Sequence, residues 1–126
     1  MTKHSTDLQT LLRDPSLLET RAFVAGEWVE AEGGATFEVV NPARGDVIAR
    51  VADLSRHDAA RAIRAAAEAM KEWAARTAKD RAQVMRRWFD LMMANQDDLA
   101  RILTAEMGKP FPEAKGEITY GASFVE

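Results

Sequence analysis

The chain has 126 residues, 47% hydrophobic and 29% charged, which is a composition typical of one globular domain. Its 17 Lys and Arg residues against 20 Asp and Glu residues leave a net charge of −3, so charge gives no basis for binding nucleic acid or anionic membranes. The absence of cysteine excludes disulfides, thiolate metal sites and a thiol nucleophile, and without a secretory signal or a long apolar run we expect a cytoplasmic protein.

The amino-terminal stretch predicts a short helix that packs on the rest of the chain. Leu8, Leu11 and Leu12 are spaced like one face of a helix. The helix must end near Pro15, because proline disfavours the helical conformation in the residue before it. We therefore assign residues 1–20 to an amino-terminal arm.

The next segment predicts antiparallel strands. Valine and aromatic residues lie on both sides of Gly26, which is typical of a tight hairpin, and Gly33 and Gly34 mark the following turn. An Asn-Pro-Ala-Arg-Gly-Asp turn then separates a strand at 36–40 from a strand at 47–51. Together these strands are expected to form a small antiparallel β meander.

After the strands, the apolar period changes from about two residues to about 3.6, which predicts helices. Ser55 with Asp58 resembles a capping box at the start of the first helix, and Thr77 with Asp80 repeats the signal at the start of the second. The short link predicts that these helices are antiparallel. Their expected inner faces hold Ala59, Ala62, Ile63, Ala66, Met70 and Trp73 in the first, and Ala82, Met85, Trp88, Phe89 and Met92 in the second.

Two more helices follow in the last 30 residues. The third is expected over about residues 97–107 and ends at Gly108, a left-handed residue that closes the last turn. The fourth begins near Pro112 and is expected to be still in progress at Glu126, which makes the chain look like the front of a longer protein. The buried residues of the two helices are expected to be Leu99, Ile102, Leu103, Ala114, Ile118, Ala122 and Val125.

Several apparent binding motifs are incomplete. Lys109 follows a glycine as in a phosphate-binding loop, but that motif needs glycine at 103 and Ser or Thr at 110, where the chain has Leu103 and Pro110. The seven glycines contain no GxGxxG pattern. His4 and His57 lie far apart without a metal-binding context, so we expect no metal site.

One pair of carboxylates has a catalytic and a structural interpretation. Glu113 and Glu117 share a helix face at i,i+4, a spacing that suits paired-carboxylate chemistry. The structural interpretation is favoured, because a glutamate stabilises the first turn of a helix and Lys109 and Lys115 are close in sequence.

The second helix carries the densest basic cluster, beside Trp88 and Phe89, and such a cluster would suit single-stranded nucleic acid. The periodicity instead places both aromatic residues in the core, which leaves the basic residues as the solvated face of the helix. The cluster consists of Lys79, Arg81, Arg86 and Arg87.

Four motifs, in this order, resemble the amino-terminal segment of the aldehyde dehydrogenase superfamily over residues 23–126. They are Phe23-Val24-Ala25-Gly26-Glu27-Trp28, Val40-Asn41-Pro42-Ala43-Arg44-Gly45, Trp73 with Lys79-Asp80-Arg81-Ala82, and Glu106-Met107-Gly108-Lys109-Pro110. Residues 87–93, 95–100 and 113–120 are most similar to the bacterial succinate-semialdehyde dehydrogenase group. Ala25 stands where the family commonly has Asn, and Asp80 where it commonly has Glu.

The resemblance implies an α+β fragment: an antiparallel β meander followed by three to four helices, forming the outer amino-terminal part of the cofactor-binding domain. Residues 21–126 would be an incomplete part of that domain. The parent enzyme would use NAD or NADP to oxidise a small aldehyde, through a cysteine nucleophile and a glutamate base, and would be a homo-oligomer. It would bind no nucleic acid and no membrane.

The family's nucleophile, oxyanion-stabilising asparagine, cofactor lysine, glycine motif and base glutamate belong to segments that these 126 residues lack. We therefore assign no catalytic, cofactor-binding or metal-binding residue, and expect the chain alone to be inactive and to bind no nicotinamide. The last helix would begin to border the substrate passage, where Tyr120 and Phe124 are candidates either for lining it or for packing. The alternative is a stand-alone, non-catalytic interaction module derived from this segment.

Overall fold

A computed structural model describes residues 7–126, so His4 and the first six residues of the predicted arm lie outside it. Within that range, after a short helix and a 3₁₀ turn, the chain forms four strands followed by four helices, which confirms the α+β fold class. The elements are α1 (Leu8–Leu11), a 3₁₀ turn (Pro15–Leu17), β1 (Ala22–Val24), β2 (Glu27–Val29), β3 (Thr36–Val40), β4 (Val47–Ala52), α2 (Arg56–Ala75), α3 (Ala78–Ala94), α4 (Gln96–Met107) and α5 (Phe111–Ser123).

The four strands form two separate antiparallel hairpins rather than one continuous meander. Strands β1 and β2 pair with each other, as do β3 and β4. The link between the hairpins has positive φ at Gly33 and Gly34 and a buried Ala31. Because the N–H of Glu32 donates to the carboxylate of Asp58 in α2, this link is attached to a helix instead of extending a sheet.

The β1–β2 turn requires a backbone conformation that alanine rarely adopts. Ala25 and Gly26, its two central residues, have φ of +54° and +85°. Positive φ at both positions defines a type I′ turn, whose twist matches that of the flanking strands. Asparagine and glycine adopt this conformation more easily than alanine, so Ala25 is a strained choice at this site.

The predicted helix ends are largely confirmed. The Ser55 hydroxyl accepts the N–H of Asp58 while the Asp58 carboxylate accepts the N–H of Ser55, a complete capping box. Thr77 caps α3 by accepting the N–H of Asp80. Gly108 closes α4 with a left-handed φ of +80°, and a Cβ at this position would meet Cγ of Pro42 at 3.2 Å.

Helices α3, α4 and α5 form the packed part of the molecule. The α4–α5 contact is the most extensive between helices, and α3 packs against both. Ala100, Ala114 and Ala122 are completely buried, so small side chains allow these helices to approach closely. Leu8 and Leu12 of the arm are buried as well, where α1 packs on α4.

Two predictions about the helix faces are wrong. Six residues that were expected on inner faces are exposed: Ala59, Ile63, Ala66 and Met70 of α2, and Ala82 and Trp88 of α3. The principal contact of α2 is with β1 rather than α3, so the apolar stripe of α2 has little to cover it among residues 7–126. Phe89 is half-buried, as expected for a residue of the α3 inner face.

The last helix is shorter than predicted. It ends at Ser123, and residues 124–125 form a turn instead of continuing to Glu126. The N–H groups of Phe124 and Val125 donate to carbonyls three residues earlier, at 3.2 and 2.9 Å, which tightens the end of the helix.

Replacing Ala25 with Asn is expected to stabilise the chain by about 0.5–1 kcal/mol, because asparagine tolerates the left-handed conformation at that turn position. Urea unfolding followed by circular dichroism measures the change. Ala67→Asn, at an exposed position of α2, is the matched control and is expected to cost up to roughly 0.7 kcal/mol through lower helix propensity. Equal destabilisation by both substitutions would contradict the turn assignment.

Candidate functional site

An exposed aromatic pair marks one face of α5. Tyr120 and Phe124 lie one helical turn apart, 64% and 72% exposed, with their ring centroids 4.9 Å apart in an edge-to-face arrangement. Ala114 and Ala122 are fully buried and lie on the side of α5 that packs against the other helices. The structure thus brings the two predicted passage residues together as one uncovered apolar patch.

An ion pair attaches the end of the chain to α3, close to this patch. The Arg86 guanidinium lies 2.7 Å from the Glu126 carboxylate and stacks over the Phe89 ring at 4.9 Å from its centroid. The hydrogen bond to Glu126 raises the pKa of Arg86 above its usual value. Arg86 of the basic cluster is therefore engaged with protein groups, which favours the structural interpretation of this residue.

Two lysines form ion pairs with acidic residues near the α4–α5 corner. Lys109 donates to the Glu117 carboxylate, and Lys115 lies 2.7 Å from the carboxylate of Asp97 in α4. The hydrogen bond from Lys115 lowers the pKa of Asp97. Because Glu117 is paired with a cation, the arrangement favours helix stabilisation over a catalytic pair with Glu113.

The one histidine within the described range is exposed. His57 Nδ1 lies 2.7 Å from the carboxylate of Glu32, and both side chains are largely solvent-accessible. Across residues 7–126, no group of three or more His, Cys, Asp or Glu side chains is placed to hold a metal ion. Within the same range, no helix combines the length and apolarity needed to cross a bilayer.

The buried carboxylate of Asp58 joins a loop to the start of α2. Asp58 is 1% exposed, and its oxygens accept the N–H and hydroxyl of Ser55, both at 2.9 Å, and the N–H of Glu32 at 3.3 Å. Arg61 adds an ion pair at 3.1 Å. The hydrogen bonds, led by the Ser55 N–H, lower the pKa of Asp58 despite its burial.

The buried carboxylate of Asp98 joins the arm to the start of α4. Asp98 is 2% exposed and accepts two successive main-chain N–H groups, from Arg13 at 3.0 Å and Asp14 at 2.9 Å. Arg101 adds an ion pair at 3.3 Å. The hydrogen bonds, led by the Arg13 N–H, lower the pKa of Asp98. We refer to the contacts of Asp98 with Arg13 and Asp14 as the arm clamp.

Sequence reasoning found the cap formed by Asp58 but not the arm clamp. Asp98 is the third residue of α4, a position where acidic residues are common, so the residue type itself carries no distinctive signal. Its partners lie 84 and 85 residues earlier in the chain. Only the folded structure shows that this carboxylate holds the arm.

The arm also forms one wall of an apolar groove of about 420 Å³. Leu8 and Leu11 line one side, and the β3–β4 turn and the α4–α5 corner line the others. Thr104 contributes a buried hydroxyl that has no hydrogen-bond partner within the described part of the chain. The groove therefore combines three segments that are distant in sequence.

Comparison with known proteins matches residues 28–126 to the sequence model of the aldehyde dehydrogenase family. A glutarate-semialdehyde dehydrogenase of Pseudomonas putida is 51% identical over 115 residues, which are 91% of this chain and 24% of that protein. The succinate-semialdehyde dehydrogenase [NADP(+)] of Escherichia coli is 49% identical with the same coverage. The chain thus spans about a quarter of the length of the relatives it matches.

A crystal structure shows the same fold. The succinate-semialdehyde dehydrogenase from Burkholderia pseudomallei superimposes with a TM-score of 0.87 at 54% identity, covering 90% of this chain and 23% of that one. The fold therefore corresponds to one segment of a much longer aldehyde dehydrogenase chain, and the expected resemblance to the succinate-semialdehyde dehydrogenase group is confirmed.

Acid is expected to destabilise the chain through Asp58 and Asp98. Both have folded pKa values below the ordinary 3.8, so their contribution is fully present above roughly pH 5 and is lost as the pH falls below 3.8 and through the folded pKa values. Urea unfolding from pH 6 to pH 2 measures the slope, which Asp58→Asn and Asp98→Asn should each reduce. Asp90→Asn, at an exposed carboxylate of α3, is the control and should leave the slope unchanged.

Proposed function

Because the chain belongs to the aldehyde dehydrogenase family, we propose that it forms the amino-terminal quarter of an NAD(P)-dependent enzyme that oxidises succinate semialdehyde to the dicarboxylic acid. The observation that carries this proposal is the 49–51% identity, over 115 residues, to dehydrogenases of succinate and glutarate semialdehyde. The substrates of both relatives are aldehydes with a carboxylate at the other end. An aldehyde of this class is the substrate that we assign to the parent enzyme.

We propose that the nicotinamide site lies outside the described residues. Anion cradles for a dinucleotide place glycines at the turn from a strand into a helix. Here the glycines with positive φ lie in hairpin turns and loops, and at the end of α4. The remaining three quarters of the parent would supply the cofactor site and the reacting groups, and the proposed role of this segment is to support them.

Within that role, α5 is the element closest to the chemistry. Its packed side is held by α3 and α4, which fixes Tyr120 on the helix, and Phe124 in the turn that follows contacts the Tyr120 ring. In the parent, the two rings would form an apolar wall of the substrate passage, which orients the aldehyde and keeps water away from it. Both rings are uncovered within residues 7–126, as such a wall requires.

A chimera tests the proposed function directly. The matching segment of the Escherichia coli enzyme is replaced by the 115 residues of this chain that match it, and reduction of NADP⁺ with succinate semialdehyde is measured. The chimera is expected to retain activity within about tenfold of the parent, because the segment supplies scaffold rather than reacting groups. The 126-residue chain alone, assayed in parallel, should show no activity.

A chimera that assembles like the parent but does not oxidise succinate semialdehyde would contradict the proposal. If the junction prevents folding, an exchange limited to residues 28–126, the range matched by the family, repeats the test.

Truncating the aromatic pair in the active chimera is expected to weaken substrate binding. Tyr120→Ala and Phe124→Ala should each raise KM for the aldehyde roughly three- to tenfold with little change in kcat, since a passage wall binds substrate and transition state alike. Tyr120→Phe, which keeps the ring, should restore the original KM. Trp88→Ala, at a similarly exposed aromatic residue of α3, is the matched control. An equal effect of Trp88→Ala would show that general packing, not the passage, is affected.

A further inference from the structure

The described part of the arm, residues 7–18, is fastened mainly through its backbone. The arm clamp uses both oxygens of Asp98, each accepting one N–H group. The Arg13 guanidinium adds one hydrogen bond to the carbonyl of Ala94 at the end of α3, at 3.1 Å. One buried carboxylate therefore makes most of the polar attachment between the arm and the helices.

The arm is too short to be ordered by itself. Its helix α1 has four residues, and isolated helices of fewer than about 12 residues are marginal in water. Among residues 7–18, Leu8 and Leu12 are the two buried side chains, whereas Leu11 is half exposed. The arm consequently depends on its contacts with α4 and on the arm clamp.

A distinct attachment point follows the arm. The carbonyl of Thr20 accepts the N–H of Ala52 in β4 at 2.9 Å, which ties the chain to the second hairpin. Between the arm clamp and this bond lies the segment around Leu18 and Glu19. The family model matches residues 28–126, whereas a relative that is 51% identical matches 115 of the 126 residues, so at least residues 12–18 of the arm are shared with that relative.

We propose that residues 7–18 form a releasable strap, which is fastened by the arm clamp and detaches while the rest of the fold stays intact. The hinge is at Leu18–Glu19, between the two attachment points. Leu8 and Leu11 form one wall of the apolar groove. Release of the strap therefore removes that wall and exposes the α4 residues that line the groove.

Hydrogen exchange measured by NMR on the 126-residue chain tests the strap. The amides of Arg13 and Asp14 are expected to be protected in the wild type. In Asp98→Asn they should exchange at least about tenfold faster, because the side-chain NH₂ replaces an acceptor oxygen and charge-assisted bonds are lost. The amides of Asp53 and Gly108, bonded to the carbonyls of Ala35 and Thr104, should keep their wild-type rates.

Asp58→Asn is the matched control, since it removes the other buried carboxylate. It should accelerate exchange at the amides of Ser55 and Glu32 and leave those of Arg13 and Asp14 unchanged. If Asp98→Asn accelerates exchange only in the arm and Asp58→Asn only at Ser55 and Glu32, the two carboxylates hold separate parts of the chain. If Asp58→Asn accelerates exchange at Arg13 and Asp14 as well, the strap is not separable and the proposal is overturned.

Two further results would also overturn the proposal. One is unprotected Arg13 and Asp14 amides in the wild type, because the clamp would then not be formed. The other is equal acceleration at Asp53 and Gly108 in Asp98→Asn, because the whole fold would then open with the arm. If Asp98→Asn does not fold, hydrogen exchange is measured on a shortened chain that begins at Glu19. Slow exchange at Asp53 and Gly108 in that chain supports the proposal, and fast exchange overturns it.

Discussion

The capture of non-helical backbone by aspartates in the first turn of a helix determines where the arm and the loop between the hairpins lie on the helices. Asp58 and Asp98 are the two buried charged residues of the described chain, and each accepts N–H groups from a segment that belongs to no sheet ladder. A buried carboxylate is costly unless its hydrogen bonds are satisfied. Burial therefore makes both contacts specific, because the carboxylate is stable only when loop and arm occupy their observed positions.

These contacts matter because the apolar core is small. Alanines make up most of the fully buried apolar residues in residues 7–126, and large side chains such as Trp88, Tyr120 and Phe124 are exposed. Alanine allows close helix packing but buries little area, so it contributes little hydrophobic free energy. In the proposed parent, which is about four times as long, the exposed apolar faces are the surfaces on which the remaining chain would pack.

Local signals in the sequence predicted local structure well. Ser55, Thr77 and Gly108 each act through hydrogen bonds or backbone angles within a few residues, and the structure confirms all three. The separation of the hairpins was not predictable, because it depends on a bond between Glu32 and Asp58, 26 residues apart. The exposure of Trp88 was missed for a related reason: periodicity shows which residues share a face, but not whether another element covers it.

The sequence of this segment does not distinguish between the two substrates. Relatives named for glutarate and succinate semialdehyde are almost equally similar to it, at 51% and 49% identity. A segment that determined chain length of the substrate would be expected to distinguish them more sharply. The caps, turns and helix contacts of this segment instead hold the position of α5. In the proposed enzyme, the Tyr120–Phe124 wall would therefore supply general apolar contact, and recognition of the distant carboxylate would fall to the rest of the chain.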